Sequence, residues 1–405
     1  MRVALVFMHP FSESMGSVVR IRQLALSMGR SGVESYIFTP YERSFDMAPN
    51  VHVVSATPML SLPGLSKALY QLTRTLYYSR FFPDLFSNSH IQSGRIVNRL
   101  AMEIARKLTK LGIDIIQIEQ DAALPLGIYL KKETNLPLVV DVHNISSEEL
   151  VASGILERKS ENYLSMQKRT QQLLGATDHT VVVSDAMRDY IVKNYGMDQR
   201  RITVVPPGGK VSSRKKPVSQ RAKPIKIAYA GLVAYRERVD LFIESMLFAK
   251  SREGNLRFYV TNKGEALKDI KKLAEKIQVA PSYFWYNNYE MVDEFLSTCH
   301  VGVLPSSRDT ARKMGTPAKL FSYLSAGLPV VANDIGGWSE LIRNERVGVL
   351  TSDDPKDFGE AVTSLVNDPD TMQEYGSNGL DLVRTKFNWD SSASRLTSVY
   401  DKLAS

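Results

Sequence analysis

The chain holds a single cysteine, Cys299, among 405 residues. That scarcity excludes an internal disulfide framework and a cysteine-rich metal site. A thiol inside an apolar run is expected to be an inert core residue, in keeping with a reducing compartment. Long hydrophobic runs are missing too: no stretch approaches the roughly 18 apolar residues that a membrane-spanning helix needs. The opening Arg2-Val3-Ala4-Leu5-Val6-Phe7-Met8 is too short for a signal-peptide core and runs into His9-Pro10 without a small-residue cleavage site. It reads as a buried first strand, and the protein is expected in the cytoplasm. Low-complexity tracts and short-period repeats are absent. No carboxylate or histidine cluster shows metal-ligand spacing, so no metal or other cofactor is expected.

What remains is the composition of a globular protein, 43% hydrophobic and 23% charged. The length suggests two domains of about 150 to 200 residues, each able to bury its own core. Apolar, β-branched strands alternate with amphipathic helices through the first half: strands at 3–7, 36–38, 113–118, 138–142, 180–183 and 202–205, with a helix at 17–30 and another at 185–194. That pattern predicts parallel sheets covered on both faces. After Pro206-Pro207-Gly208-Gly209 and a basic stretch, the alternation restarts at Ile225. Later strands are expected at 257–261, 283–286, 301–304, 329–332 and 348–350. The fold class is therefore α/β, two Rossmann-like doubly wound domains: 1–206, a linker at 207–224, and 225–386, with ligand expected between them at the carboxyl ends of the strands. An amphipathic helix over 391–403 closes the chain after Phe387-Asn388-Trp389.

The net charge of +8 is unevenly spread. Residues 208–226 hold seven Lys or Arg and no acid, and residues 61–110 hold eight against Asp84 and Glu103. Such clusters suit an anionic lipid surface, nucleic acid or a phosphorylated substrate; equally, they suit a solvated linker and helix face. For the 61–110 segment, with its Leu, Tyr and Phe, peripheral contact with the inner face of the cell membrane stands beside packing onto the first domain. Nucleic acid is not expected as a partner.

The most specific segment is Lys319 to Ile342, KLFSYLSAGLPVVANDIGGWSELI. Leu320, Phe321 and Leu324 fall at helical spacing, Gly327 ends that helix, and Val330-Val331-Ala332 is a short buried strand. Gly336-Gly337 opens the next helix, where bare N–H groups favour an anion.

This arrangement resembles the donor-nucleotide segment of family-four glycosyltransferases of the GT-B fold, usually seen as KLFEYMAAGKPVVASDxGGxxEL. The resemblance implies transfer of a sugar from a nucleotide-diphosphate donor to a hydroxyl of a glycan or lipid-linked acceptor, without a metal and with retention of configuration. It also implies that the last helix, 387–405, crosses back onto the first domain. Gly16, in the loop from His9 to Ser17, matches a glycine placed near donor phosphates or acceptor; a plain strand-to-helix turn is the other reading. Arg20 and Arg22 follow, either to meet a phosphate or to solvate the helix. His143, at the end of Asp141-Val142-His143-Asn144, resembles a histidine that contacts the transferring sugar, with Glu148 and Glu149 as further candidates.

In the second domain the resemblance implies donor contacts from Gly231, Gly336, Gly337 and Glu340. The family's diphosphate-binding Arg and Lys fall here on Leu232 and Glu237, so Arg236 or Arg238 is expected to substitute. Lys319 or Lys313 is expected to hold the diphosphate. The family's two glutamates, seven residues apart, fall on Met314 and Ser322; the serine offers ribose one hydrogen bond in place of a bidentate pair. Two other classes fit the same scaffold: a silent nucleotide-sugar-binding protein, favoured by Met314 and Ser322, and a nucleotide-sugar epimerase, which needs acid–base carboxylates.

Overall fold

Apolar β-branched runs build two sheets in the computed structural model, which describes residues 1–8, 16–39, 44–56, 90–211, 224–250, 255–286 and 289–404, with the backbone alone at 90–100 and 289. The loop 9–15, most of the basic 61–110 segment and the linker stretch 212–223 lie outside the described residues. Contacts divide the chain into two units, Met1–Val205 with Ser392–Ser405, and Pro206–Ser391.

The first unit carries β1 (Arg2–Val6), β2 (Glu34–Thr39), β3 (Phe45–Ala48), β4 (Val51–Ser55), β5 (Ile115–Glu119), β6 (Leu138–Val142), β7 (His179–Val182) and β8 (Ile202–Val204). They form one sheet in the order β3-β4-β2-β1-β5-β6-β7-β8. All pairs are parallel except β3 with β4. Every residue of β5 and β6 is buried, as a sheet covered on both faces requires. The β3–β4 hairpin is a departure from expectation. Phe45 and Asp46 are exposed on an edge strand and Asn50 turns the chain at φ 63°, so no apolar run announced it.

The second unit carries β9 (Ile225–Tyr229), β10 (Leu256–Thr261), β11 (Ser282–Phe284), β12 (Val301–Leu304), β13 (Val330–Asn333) and β14 (Gly348–Thr351). The order is β11-β10-β9-β12-β13-β14, all parallel. Two apolar clusters fill this unit. One is built around Phe321, Tyr323 and Leu324 of the helix Ala318–Ser325, the other around Phe242, Phe358 and Val362. Cys299 is fully buried, its thiol donating to the Phe295 carbonyl at 3.4 Å and pushed up to about 12 by burial, the inert core residue expected.

The last helix, Trp389–Ala404, buries Leu396, Val399 and Tyr400. Its Tyr400 hydroxyl donates to Gln117 of β5. Among the described residues no helix is long and apolar enough to cross a membrane.

Candidate active site

Each sheet reverses its winding at one point, between β1 and β5 in the first unit and between β9 and β12 in the second. In open α/β sheets, ligands bind outside the carboxyl ends of strands at such a reversal. A charged cluster lies near that point in each unit.

In the first unit, β5 and β6 pair in register, which sets Glu119 beside Asp141. Both carboxylates are buried, at 2% and 0% exposure. Two adjacent buried anions persist only if cations meet them. Arg20, 3% exposed on the helix Gly16–Arg30, supplies one: its Nε and Nη2 donate to the two oxygens of Asp141 at 2.9 and 3.0 Å. His143 supplies the other. Its Nε2 lies 3.2 Å from Glu119 Oε2 and 3.3 Å from Asp141 Oδ2. Burial disfavours the ring's charge, but the Asp141 charge and the contacts with Asp141 and Glu119 outweigh it and lift His143 to about 9. Burial likewise pushes Asp141 up, and the charges of Arg20 and His143 bring it down to about 2. His143 Nδ1 lies 3.0 Å from Gln120 Nε2; a doubly protonated ring requires that amide to be turned so that its oxygen accepts. Glu119 Oε1 accepts from Gln117 at 2.7 Å, and Gln117 in turn accepts from Tyr400.

Two sequence expectations change here. Arg20 is buried rather than solvated: its Nε and Nη2 pair with Asp141, while its Nη1 makes no hydrogen bond among the described residues. Arg22 is exposed. And a carboxylate–histidine cluster does exist: ligand atoms of Glu119, Asp141 and His143 lie within 4.8 Å of one another. Sheet register brings it together across more than twenty residues of sequence, which spacing along the chain does not reveal. Arg20 occupies both oxygens of Asp141, so the charge is balanced from within the protein. Gly16 is exposed at the start of its helix, and a Cβ there would meet nothing within 4 Å. Glu148 is buried and bound by Arg158, Tyr163 and Tyr190, a packing role.

In the second unit, β9 ends at Tyr229, and Gly231 turns the chain at φ 158° against the end of Lys319; a Cβ there would lie 2.9 Å from Lys319 Cε and Nζ. The turn that follows, Tyr235–Glu237, carries Arg236 and Glu237 inward. Glu237 bridges two cations: Oε1 accepts from Arg312 Nη2 and Oε2 from Lys319 Nζ. Lys319 Nζ also meets the Tyr229 hydroxyl at 2.9 Å and lies 4.6 Å from the centre of that ring. Burial lowers Lys319 and, with Arg312 adding to it, lowers Arg236. Glu237, which burial alone would raise, is brought down to about 2 by Lys319 and Arg312.

The structure thus brings together Gly231, Arg236 and Lys319 of the expected set, and adds Glu237 and Arg312. Sequence reasoning passed over Arg312, two positions before Met314; the acid at the family's lysine position was its signal, since a buried acid needs a cation. Lys319 is not free, being held by Glu237. Arg238 sits at φ 49° and pairs with Asp240 at 3.0 Å, both partly exposed. Lys313 is exposed, and only its carbonyl approaches Gly337, where a Cβ would strike it. Gly336 and Gly337 adopt φ 92° and 59°, a pair that tolerates no side chain without strain. Met314 and Ser322 are buried, and the Ser322 hydroxyl points to the Ala318 carbonyl at 3.5 Å. Glu340 is exposed. A depression of about 490 Å³ at the β14 edge is walled by Asp334, Asp357 and Glu360 with Arg343, a charge unsuited to phosphate.

Comparison with known proteins adds a separate line of evidence. A family model described as Glycosyl transferases group 1 matches residues 224–368, and one described as Glycosyltransferase Family 4 matches residues 85–210, together about two thirds of the chain. The chain is 24% identical over 395 residues to the D-inositol 3-phosphate glycosyltransferase of Paenarthrobacter aurescens strain TC1, covering 89% of this chain and 86% of that protein. Its structure is similar to the sucrose-phosphate synthase tll1590 of Thermosynechococcus elongatus, with a TM-score of 0.76 at 16% identity, covering 99% of this chain and 98% of that one. It is also similar to Anabaena Alr3699/HepE in complex with UDP-glucose, with a TM-score of 0.71 at 12% identity, covering 99% and 100%. At these identities the structural likenesses speak to the fold.

Proposed function

The chain belongs to the family-four-like glycosyltransferases of the GT-B fold, and on that premise we propose that it moves a sugar from a nucleotide-diphosphate donor to a hydroxyl of a glycan or lipid-linked acceptor, independently of metal and with retention of configuration. One observation carries this reading: Arg236, Arg312 and Lys319 gather at the carboxyl ends of β9 and β12, where the second sheet reverses.

Sugar transfer leaves a diphosphate, whose growing negative charge must be met by fixed cations. Arg312 and Lys319 are partly buried, so their field is weakly screened. Arg312 offers a planar fork suited to phosphate oxygens. Gly231, Gly336 and Gly337 let backbone approach closely. His143, held as a cation by Glu119 and Asp141, positions the sugar. The Anabaena protein's bound UDP-glucose supports a uridine-type donor as the first to test.

The test is a panel of nucleotide sugars with glycan and lipid acceptors in the presence of a chelator, read as nucleoside diphosphate release and extended acceptor. Lys319→Ala and Arg312→Ala are each expected to lower kcat/KM by about 100-fold or more. An epimerase reading gains one observation, the adjacent Glu119 and Asp141. Asp141, kept ionised by Arg20, is a poor proton donor, which favours transfer. An epimerised donor appearing without acceptor would reverse that preference.

A further inference from the structure

A phosphate-binding cluster has no evident need for a carboxylate at its centre, yet Glu237 stands there. Its two oxygens each take one cation, Arg312 on Oε1 and Lys319 on Oε2, as two oxygens of a phosphoryl group would. The other acids near the cluster are elsewhere engaged or more remote. Asp309 caps its helix, accepting from the Arg312 backbone N–H at 2.9 Å and from the Ser307 hydroxyl. Glu265 acts on Arg236 through its charge. The Arg312 Nε is buried and makes no hydrogen bond among the described residues. Two cations therefore share one bridging carboxylate, Arg236 acts on it through its charge, and the Arg312 Nε is unspent among the described residues.

We propose that Glu237 is a specificity residue of the anion site: a resident anion that a ligand must displace, which makes the site accept a diphosphate and reject a monophosphate. The inference rests on the proposed function in taking this cluster as the donor's phosphate site. Displacing Glu237 gives up two charge-assisted hydrogen bonds. A single phosphoryl group recovers about those two. A diphosphate recovers them and places a second phosphoryl group against Arg236 and the Arg312 Nε. Specificity then arises from a built-in repulsive element as well as an attractive one.

Isothermal titration of the full chain with inorganic pyrophosphate and inorganic phosphate, for wild type and Glu237→Gln, tests this. Wild type is expected to prefer pyrophosphate by about 100-fold, and Glu237→Gln to bind phosphate at least about tenfold tighter, so that the preference shrinks to about tenfold or less. An unchanged ratio, weaker binding of both anions by the variant, or no pyrophosphate binding by wild type overturns the proposal. Should Glu237→Gln fail to fold, Glu237→Asp keeps the charge but withdraws it by one methylene. Its preference is expected to fall between the two, and a wild-type ratio counts against the proposal. Sugar transfer measured in parallel separates the two readings. Transfer with an unchanged anion ratio defeats only the role of Glu237; a shifted ratio with no transfer from any donor defeats only the glycosyltransferase reading.

Discussion

Asp141 is the residue on which the first cluster depends. It is fully buried and its charge is met by Arg20 and His143. Arg20→Ala leaves that carboxylate half-paired and is expected to cost about 3 to 5 kcal/mol, read from urea unfolding; Arg20→Lys recovers only part, since the bidentate fork is lost. The same cluster sets a pH dependence of stability. His143 is raised from 6.5 to about 9, so its contribution is complete below about 6.5 and is lost as pH rises through about 9. Asp141 is lowered from 3.8 to about 2, so its contribution is present above about 3.8 and is lost as pH falls through about 2. Unfolding free energy should therefore decline between about pH 6.5 and 9 by on the order of 3 kcal/mol, and His143→Asn should flatten that decline. The strand-end position of His143 was legible from sequence. Its partners were not, because Glu119 meets Asp141 only through sheet register. Likewise the acid at 237 was visible as a departure from the family, while its pairing with Arg312 needed the fold.

At the scale of elements, the helix Ala318–Ser325 holds the second site in place through one side chain. The Tyr323 hydroxyl accepts from the Ala230 N–H at 2.9 Å and donates to the Val303 carbonyl at 3.0 Å, tying the ends of β9 and β12 to the helix that carries Lys319. Gly302 of β12 lies flat against that ring; a Cβ there would sit 2.5 Å from Tyr323 Cγ. Gly302→Ala is therefore expected to destabilise the fold by about 1 to 3 kcal/mol through overpacking. Tyr323→Phe should cost about 1 to 3 kcal/mol by orphaning two buried backbone groups. Thermal unfolding checks both, and a parallel loss of pyrophosphate affinity would show that the strand ends position Lys319. Elements with strong apolar periodicity were readable within one or two residues: β6 and β12 stand at the expected limits, and the helix expected from Lys319 to Ala326 runs from Ala318 to Ser325. The β3–β4 hairpin was not, because an exposed edge strand has no apolar face to display.

Over the whole chain, both sheets are wound the same way, and each puts charged side chains near its reversal point. The repeated strand–helix alternation was visible in sequence because parallel sheets demand near-continuous apolar strands. The departures at Leu232, Glu237, Met314 and Ser322 left the chemistry less determined by sequence, and in the structure Arg312 and Lys319 are bridged by Glu237. The most direct measurement is turnover of labelled nucleotide sugars by the purified chain, with glycan and lipid acceptors and a chelator present. Release of nucleoside diphosphate matched by extended acceptor of retained anomeric configuration, lowered about 100-fold or more by Lys319→Ala, is the expected result. No transfer from any donor, or transfer indifferent to both Lys319 and Arg312, would contradict it.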